Sequence, residues 1–260
     1  ILSDFELWTA VMIVLSNFLC SFFFIVLFYR NFFKQLLKTK SKKKFNWKKE
    51  MLPMQYKIAL SWIAGYLTFN LYTPLIFNFI GPEEAGKFGM TWSILSSLLA
   101  ISSAFLMPKI PQMSMYVAEK EFKKLNIYFN KLFNNVFIVS VLSCLLIYYG
   151  LFYIIDLVDL NFLNNFYDRI LKHNEFIILI IGQFFLMIGS PFSAYMRSFK
   201  KEPLMLLSLI SGFLSIVFVY ISAKYFNIHV VCLVYLVINL ICYPFIILIY
   251  KNFKIKHINI

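Results

Sequence analysis

The residues able to do chemistry in this chain are few, and most sit inside otherwise apolar stretches. Asn70 stands four residues before Pro74, in a run that also holds Ser61, Gly65, Tyr66, Thr68, Tyr72 and Thr73. Proline has no N–H, so Pro74 releases the carbonyl of Asn70 from its ordinary helical bond, and an amide at that depth needs a partner or water. Gln183 lies in a second such run, upstream of Gly189, Ser190 and Pro191. Chemistry of this kind is hydrogen bonding and bending rather than bond breaking. Tyr66, Asn70, Tyr72 and Gln183 are therefore candidate ligands of a bound solute, and Gly65, Pro74 and Pro191 are candidate hinges. The same groups would equally serve to bond neighbouring helices to one another. Lys57, Lys109 and Arg197 stand at the ends of apolar runs. Long cationic side chains there can reach between interface and cavity, where a phosphate or diphosphate would suit them.

Nothing points to covalent catalysis. Cys20, Cys144, Cys232 and Cys242 all fall in apolar runs without CxxC spacing, and His173, His229 and His257 are scattered over connections and tail. Neither a disulfide framework nor a metal site is expected. No GxSxG, HExxH, Walker A or GxGxxG pattern occurs, so no cofactor and no enzymatic role is expected.

The elements that must hold these residues are set by where charge is excluded. Of 260 residues, 61% are hydrophobic and 14% charged, with a mean hydropathy of +0.75. Every charged side chain falls outside seven stretches, at 7–29, 58–80, 88–108, 132–155, 176–196, 203–223 and 230–250. An α-helix rises about 1.5 Å per residue, so each stretch matches the roughly 30 Å hydrocarbon layer. The fold class expected is all-α, a polytopic membrane protein with seven transmembrane helices.

Dividing the formal charge of +13 between the two sides of alternating spans gives +17 on one and −4 on the other. The positive-inside rule puts the basic side in the cytoplasm, with residue 1 outside and the carboxyl terminus cytoplasmic. The Lys-rich run at 38–44 has neither interleaved aromatics nor a reading head, which argues against nucleic acid and for anionic membrane lipids as neighbours.

The spacing also divides the chain. Residues 1–30 supply one helix, 31–50 a basic cytoplasmic linker, and 51–260 a six-helix unit with short connections. Between the third and fourth spans, Met115, Ala118, Phe122, Leu125, Phe129 and Leu132 recur at spacings of 3 and 4. That pattern predicts an amphipathic helix over about 112–131 at the cytoplasmic surface, entered through Pro108 and Pro111.

Residues 51–94 and 108–129, containing GPEEAGKFGM at 81–90, carry a resemblance. They resemble bacterial polysaccharide-biosynthesis membrane proteins related to O-antigen and oligosaccharide flippases, in the multidrug, oligosaccharidyl-lipid and polysaccharide exporter superfamily. Gly81, Gly86, Gly89 and Met90 match a glycine-rich segment after the first helix of that group's carboxyl-terminal lobe, with Lys87 where a neutral polar residue is usual. The resemblance covers about Met51 to Leu132. It implies two lobes of about six helices flanking a cavity, with the first helix here the last of a truncated amino-terminal lobe and the next six a complete carboxyl-terminal lobe. It implies translocation of a lipid-diphosphate-linked oligosaccharide across the bacterial inner membrane, for cell-surface polysaccharide or lipopolysaccharide biosynthesis. The partners it implies are the lipid-linked substrate and polysaccharide assembly proteins. The competing classes are a membrane glycosyltransferase or polysaccharide polymerase, for which the acidic residues Asp156, Asp159 and Asp168 speak, and an exporter of another amphipathic substrate.

Overall fold

In the computed structural model, residues 4–38, 46–154 and 168–258 are described. All described regular structure is helical: α1 (Asp4–Lys38), the single turn α2 (Trp47–Glu50), α3 (Leu52–Phe79), α4 (Pro82–Leu106), α5 (Ile110–Ala118), α6 (Phe122–Tyr149), α7 (His173–Ser198), α8 (Met205–Tyr225) and α9 (Ile228–Ile258). Six segments, containing α1, α4 with α5, α6, α7, α8 and α9, are long and apolar enough to cross a membrane. The remaining expected span is the 28-residue α3. The protein is an all-α polytopic membrane protein. The lysine run at 40–44, Asp156 and Asp159 lie outside the described residues.

The chain forms two compact units, Ile1–Trp47 and Lys48–Ile260. In the first, α1 continues past residue 29 to Lys38, and Phe24 packs on Phe28 one turn away at 4.7 Å between ring centroids.

In the second unit, α3 packs on α4 and α8, α7 on α4, α6 and α9, and α8 on α9. Ala64 of α3 and Gly212 of α8 make the α3–α8 seam close: a Cβ at 212 would lie 3.1 Å from the Ala64 Cβ and carbonyl oxygen. Two apolar clusters follow. One gathers Tyr72, Phe88, Leu95, Phe176, Met187 and Tyr235; the other gathers Met113, Leu125, Phe129, Tyr195, Tyr250 and Phe253.

Helix boundaries follow local chemistry. Gly81, at φ 138°, opens α4 with Pro82 at its first position and Glu83 and Glu84 in the first turn, where acidic groups meet the positive helix end. Pro108 falls in a tightened turn, Met107–Lys109, between α4 and α5.

The single amphipathic helix expected over about 112–131 is two helices. Lys120 adopts the left-handed conformation at φ 60° and closes α5: its N–H donates to the Val117 carbonyl at 3.2 Å, and that of Glu121 to the Tyr116 carbonyl at 2.9 Å. These are the paired bonds of a Schellman stop, made here without glycine. From Phe122 the chain belongs to α6, and Leu125, Phe129 and Leu132 continue into Val136 and Ser140 as one buried line. The stripe was the start of a packed helix. In α5 it is Met113 that is buried, while Met115 is 46% exposed.

Candidate functional site

Helix α3 presents two polar faces. Ser61, Ala64, Tyr72 and Ile76, which recur on one side of the helix at spacings of three, eight and four, are buried against the unit. Tyr66, Asn70 and Pro74 form the opposite line and are exposed, Tyr66 by 67%. The Asn70 amide donates to the Tyr66 carbonyl at 3.0 Å, one turn back on the same face. On the inner side, Ser61, Gly65 and Thr68 line a cavity of about 180 Å³ with Ser208, Ser215 and Asn239 from α8 and α9. The Ser61 hydroxyl has no partner among the described residues. Polar side chains thus serve α3 on both faces, and Gly65 lies at the inner cavity.

The two helix-internal prolines are treated differently. In α7, Ser190 Oγ donates to the Met187 carbonyl at 2.8 Å, the acceptor that Pro191 leaves without an amide. No side chain among the described residues does the same for the Asn70 carbonyl beneath Pro74.

Tyr72 and Gln183 lie in the core, away from the exposed line of α3. Tyr72 is 1% exposed and stacks with Phe88 and Trp92. Gln183, 2% exposed, accepts from the Tyr235 hydroxyl at 2.7 Å and donates to the Leu95 carbonyl at 3.3 Å, joining α7 to α9 and α4. Tyr235 also sets its ring edge-on to Trp92 at 5.1 Å.

The predicted cations separate. Arg197 is paired with Glu202, whose side chain is 2% exposed: Nη2 donates to Oε1 at 3.0 Å and Nε to Oε2. Lys109 is exposed in the turn after α4 and is not in the lining of the pocket that holds Lys57. Lys57 does converge with other cations. It shares a pocket of about 600 Å³ with Lys200, Lys201, Lys256 and His257. Thirteen residues separate Lys57 from Asn70, which at 3.6 residues per turn sets them about 140° apart around α3 and roughly 20 Å apart along it. The structure therefore does not bring these two together.

His257 orients part of the basic pocket. Its Nδ1 lies 2.8 Å from the Phe253 carbonyl, so this nitrogen carries the proton. Nε2, 2.6 Å from Lys201 Nζ, is then free to accept from the ammonium. Lys200 is held in the left-handed conformation at φ 57° after α7.

Comparison with family models, with curated proteins and with solved structures finds no match. The reading of the site rests on its own geometry.

At the opposite, acidic end, Glu84, Lys87, Asp168, His173 and Glu175 line a pocket of about 360 Å³. Glu175 meets His229 at 3.3 Å, and Leu171 N–H donates to the buried Thr91 hydroxyl at 2.9 Å. No group of acidic, histidine or cysteine side chains among the described residues is arranged to hold a metal. The sequence reading missed the partnership of Lys200, Lys201, Lys256 and His257 with Lys57, because it counted those charges only for topology. The pairs Lys200–Lys201 and Lys256–His257, each at the end of a span, were the available signal.

Proposed function

We propose that the six-helix unit is a carboxyl-terminal lobe that helps move a lipid-diphosphate-linked oligosaccharide across the bacterial inner membrane, its lysine-rich end in the cytoplasm, for cell-surface polysaccharide biosynthesis. The observation that supports this reading is the exposed line Tyr66, Asn70, Pro74 on a helix of membrane length. The Asn70 amide spends one donor on the Tyr66 carbonyl, its oxygen has no partner among the described residues, and such a group is costly in hydrocarbon, so this face is suited to a hydrated path between lobes. Sugar hydroxyls would exchange hydrogen bonds with Asn70, and the Tyr66 ring would offer an apolar surface to a sugar face. The absence of a side-chain substitute beneath Pro74 leaves α3 easier to bend there than α7 at Pro191. No covalent step is required. The work is to hold a headgroup away from lipid and expose it to alternate sides.

The test is leaflet-resolved transport of an undecaprenyl-diphosphate-linked sugar in vesicles holding the full-length protein, with abundance and insertion measured alongside. Asn70→Leu is expected to lower the initial rate at least about tenfold, a loss of about 1.4 kcal/mol of barrier stabilisation. Phe213→Leu, at a 68% exposed position on α8, should leave it within about twofold. A fully active N70L variant removes the role of this face. Sugar joining without lipid movement by the wild type would replace transport with the glycosyltransferase reading.

A further inference from the structure

The basic pocket adjoins a second feature that the transport reading does not use. Between α8 and α9 runs an apolar groove of about 650 Å³, bounded on α9 by residues from Val230 to Ile249. Ile249 also lines the basic pocket, so the two spaces meet at this side chain. From Val230 to Ile249, α9 rises roughly 28 Å, close to the thickness of the hydrocarbon layer. Its part from Ile238 to Ile249 is about 16 Å long, the depth of one leaflet.

The geometry points to a docking site for an anionic glycerophospholipid of the leaflet on the lysine-rich side, its phosphate among Lys57, Lys200, Lys201 and Lys256 and an acyl chain in the α8–α9 groove. Charge complementarity selects the occupant. The four lysines come from α3, the α7–α8 connection and α9, and none forms an ion pair among the described residues. The one carboxylate in the lining, Glu202, is already neutralised by Arg197. Four ammonium groups bordering one space give it a positive potential that favours an anion, and a basic pocket between helices at the headgroup level is suited to a lipid phosphate. A zwitterionic headgroup would bring a further cation with it and fits less well. Here Lys201 is tethered by His257, itself fixed on the Phe253 carbonyl.

The site is tested with the full chain in phosphatidylcholine bilayers, using spin-labelled phosphatidylglycerol and spin-labelled phosphatidylcholine as probes and reading the immobilised fraction of each. The wild type should prefer phosphatidylglycerol about tenfold, as one to two well-placed lysines would provide. Neutralising the pocket as K57Q/K200Q/K201Q/K256Q should bring the preference to within about twofold of none. The variant K109Q/K123Q/K131Q/K254Q, which removes as many lysines outside the pocket, should keep most of it. Val237→Trp, at a 48% exposed groove position, should lower phosphatidylglycerol immobilisation without changing charge. Absence of preference in the wild type, equal loss in the control variant, or an unaffected V237W would each overturn the site. Displacement of the labelled lipid by inorganic phosphate, beyond chloride at equal ionic strength, would show a free-anion pocket instead and likewise overturn it.

Discussion

Tyr235 and Gly182 are fitted to each other: a Cβ on residue 182 would stand 2.8 Å from both Cδ1 and Cε1 of the tyrosine ring, and 3.3 Å from the Cα of Leu236. The neighbouring residue, Gln183, accepts the hydroxyl of the same tyrosine. One turn of α7 therefore fixes both the plane and the tip of that ring. Gly182→Ala should move the ring or part the helices, costing about 1–3 kcal/mol. Thermal unfolding in detergent would show this as a lowered midpoint, and an unchanged midpoint would mean that the backbone yields freely at this contact.

The Gln183–Tyr235 bond should be measurable as a coupling. In a double-mutant cycle of Gln183→Leu and Tyr235→Phe, each single change leaves a buried polar group without its partner. The coupling energy should fall at about 0.5–2 kcal/mol, the range known for polar contacts between membrane helices.

Arg197 is committed to Glu202, and that makes it structural. Arg197→Ala leaves a nearly buried carboxylate alone and should destabilise the protein by about 2–4 kcal/mol. Adding Glu202→Gln should recover most of the loss. Failure of that second change to help would mean that the arginine acts on something other than the glutamate.

Lys120 is a side chain in a conformation that suits glycine. Lys120→Gly should stabilise the protein by about 0.5–1 kcal/mol, and Lys120→Val should destabilise it, as read from unfolding midpoints. Spin labels at positions 119–124 should also report shallow depths, since Glu119, Lys120, Glu121, Lys123 and Lys124 are crowded there.

The topology can be read with single cysteines in a cysteine-free background. A cysteine at Lys200 should be shielded from an impermeant thiol reagent in intact cells, while one at Glu83 should label. The reverse pattern would invert the orientation inferred from the basic residues.

How far the sequence reaches is clearest where a single rule governs. Exclusion of charge located the seven long helices, because length and apolarity are local properties that any run of residues displays. The stop at Lys120 was hidden because stripe residues recur at three and four on both sides of it, and a lysine gives no warning of a left-handed turn. Gln183 was visible as a polar residue in a span, but its partner lies 52 positions on, among residues that look like ordinary membrane helix. Lys57 and Asn70 stood out together on one helix, yet the angular offset that separates their surroundings becomes meaningful only when neighbouring helices are in place. Convergence of distant charges, like that of Lys57 with Lys256, is a property of tertiary packing.

The reach of α9 has a consequence for the kind of bilayer that suits the protein. Its 31 residues extend roughly 46 Å, some 16 Å beyond an average hydrocarbon layer. The surplus carries Lys251, Lys254 and Lys256, so the helix works as a depth gauge whose charged segment resists being drawn into oil. A markedly thicker membrane would submerge these ammonium groups, and a thinner one would wet the apolar turn around Ile246–Ile249. Hydrophobic mismatch at this one helix end thus limits how high or low the whole unit can ride.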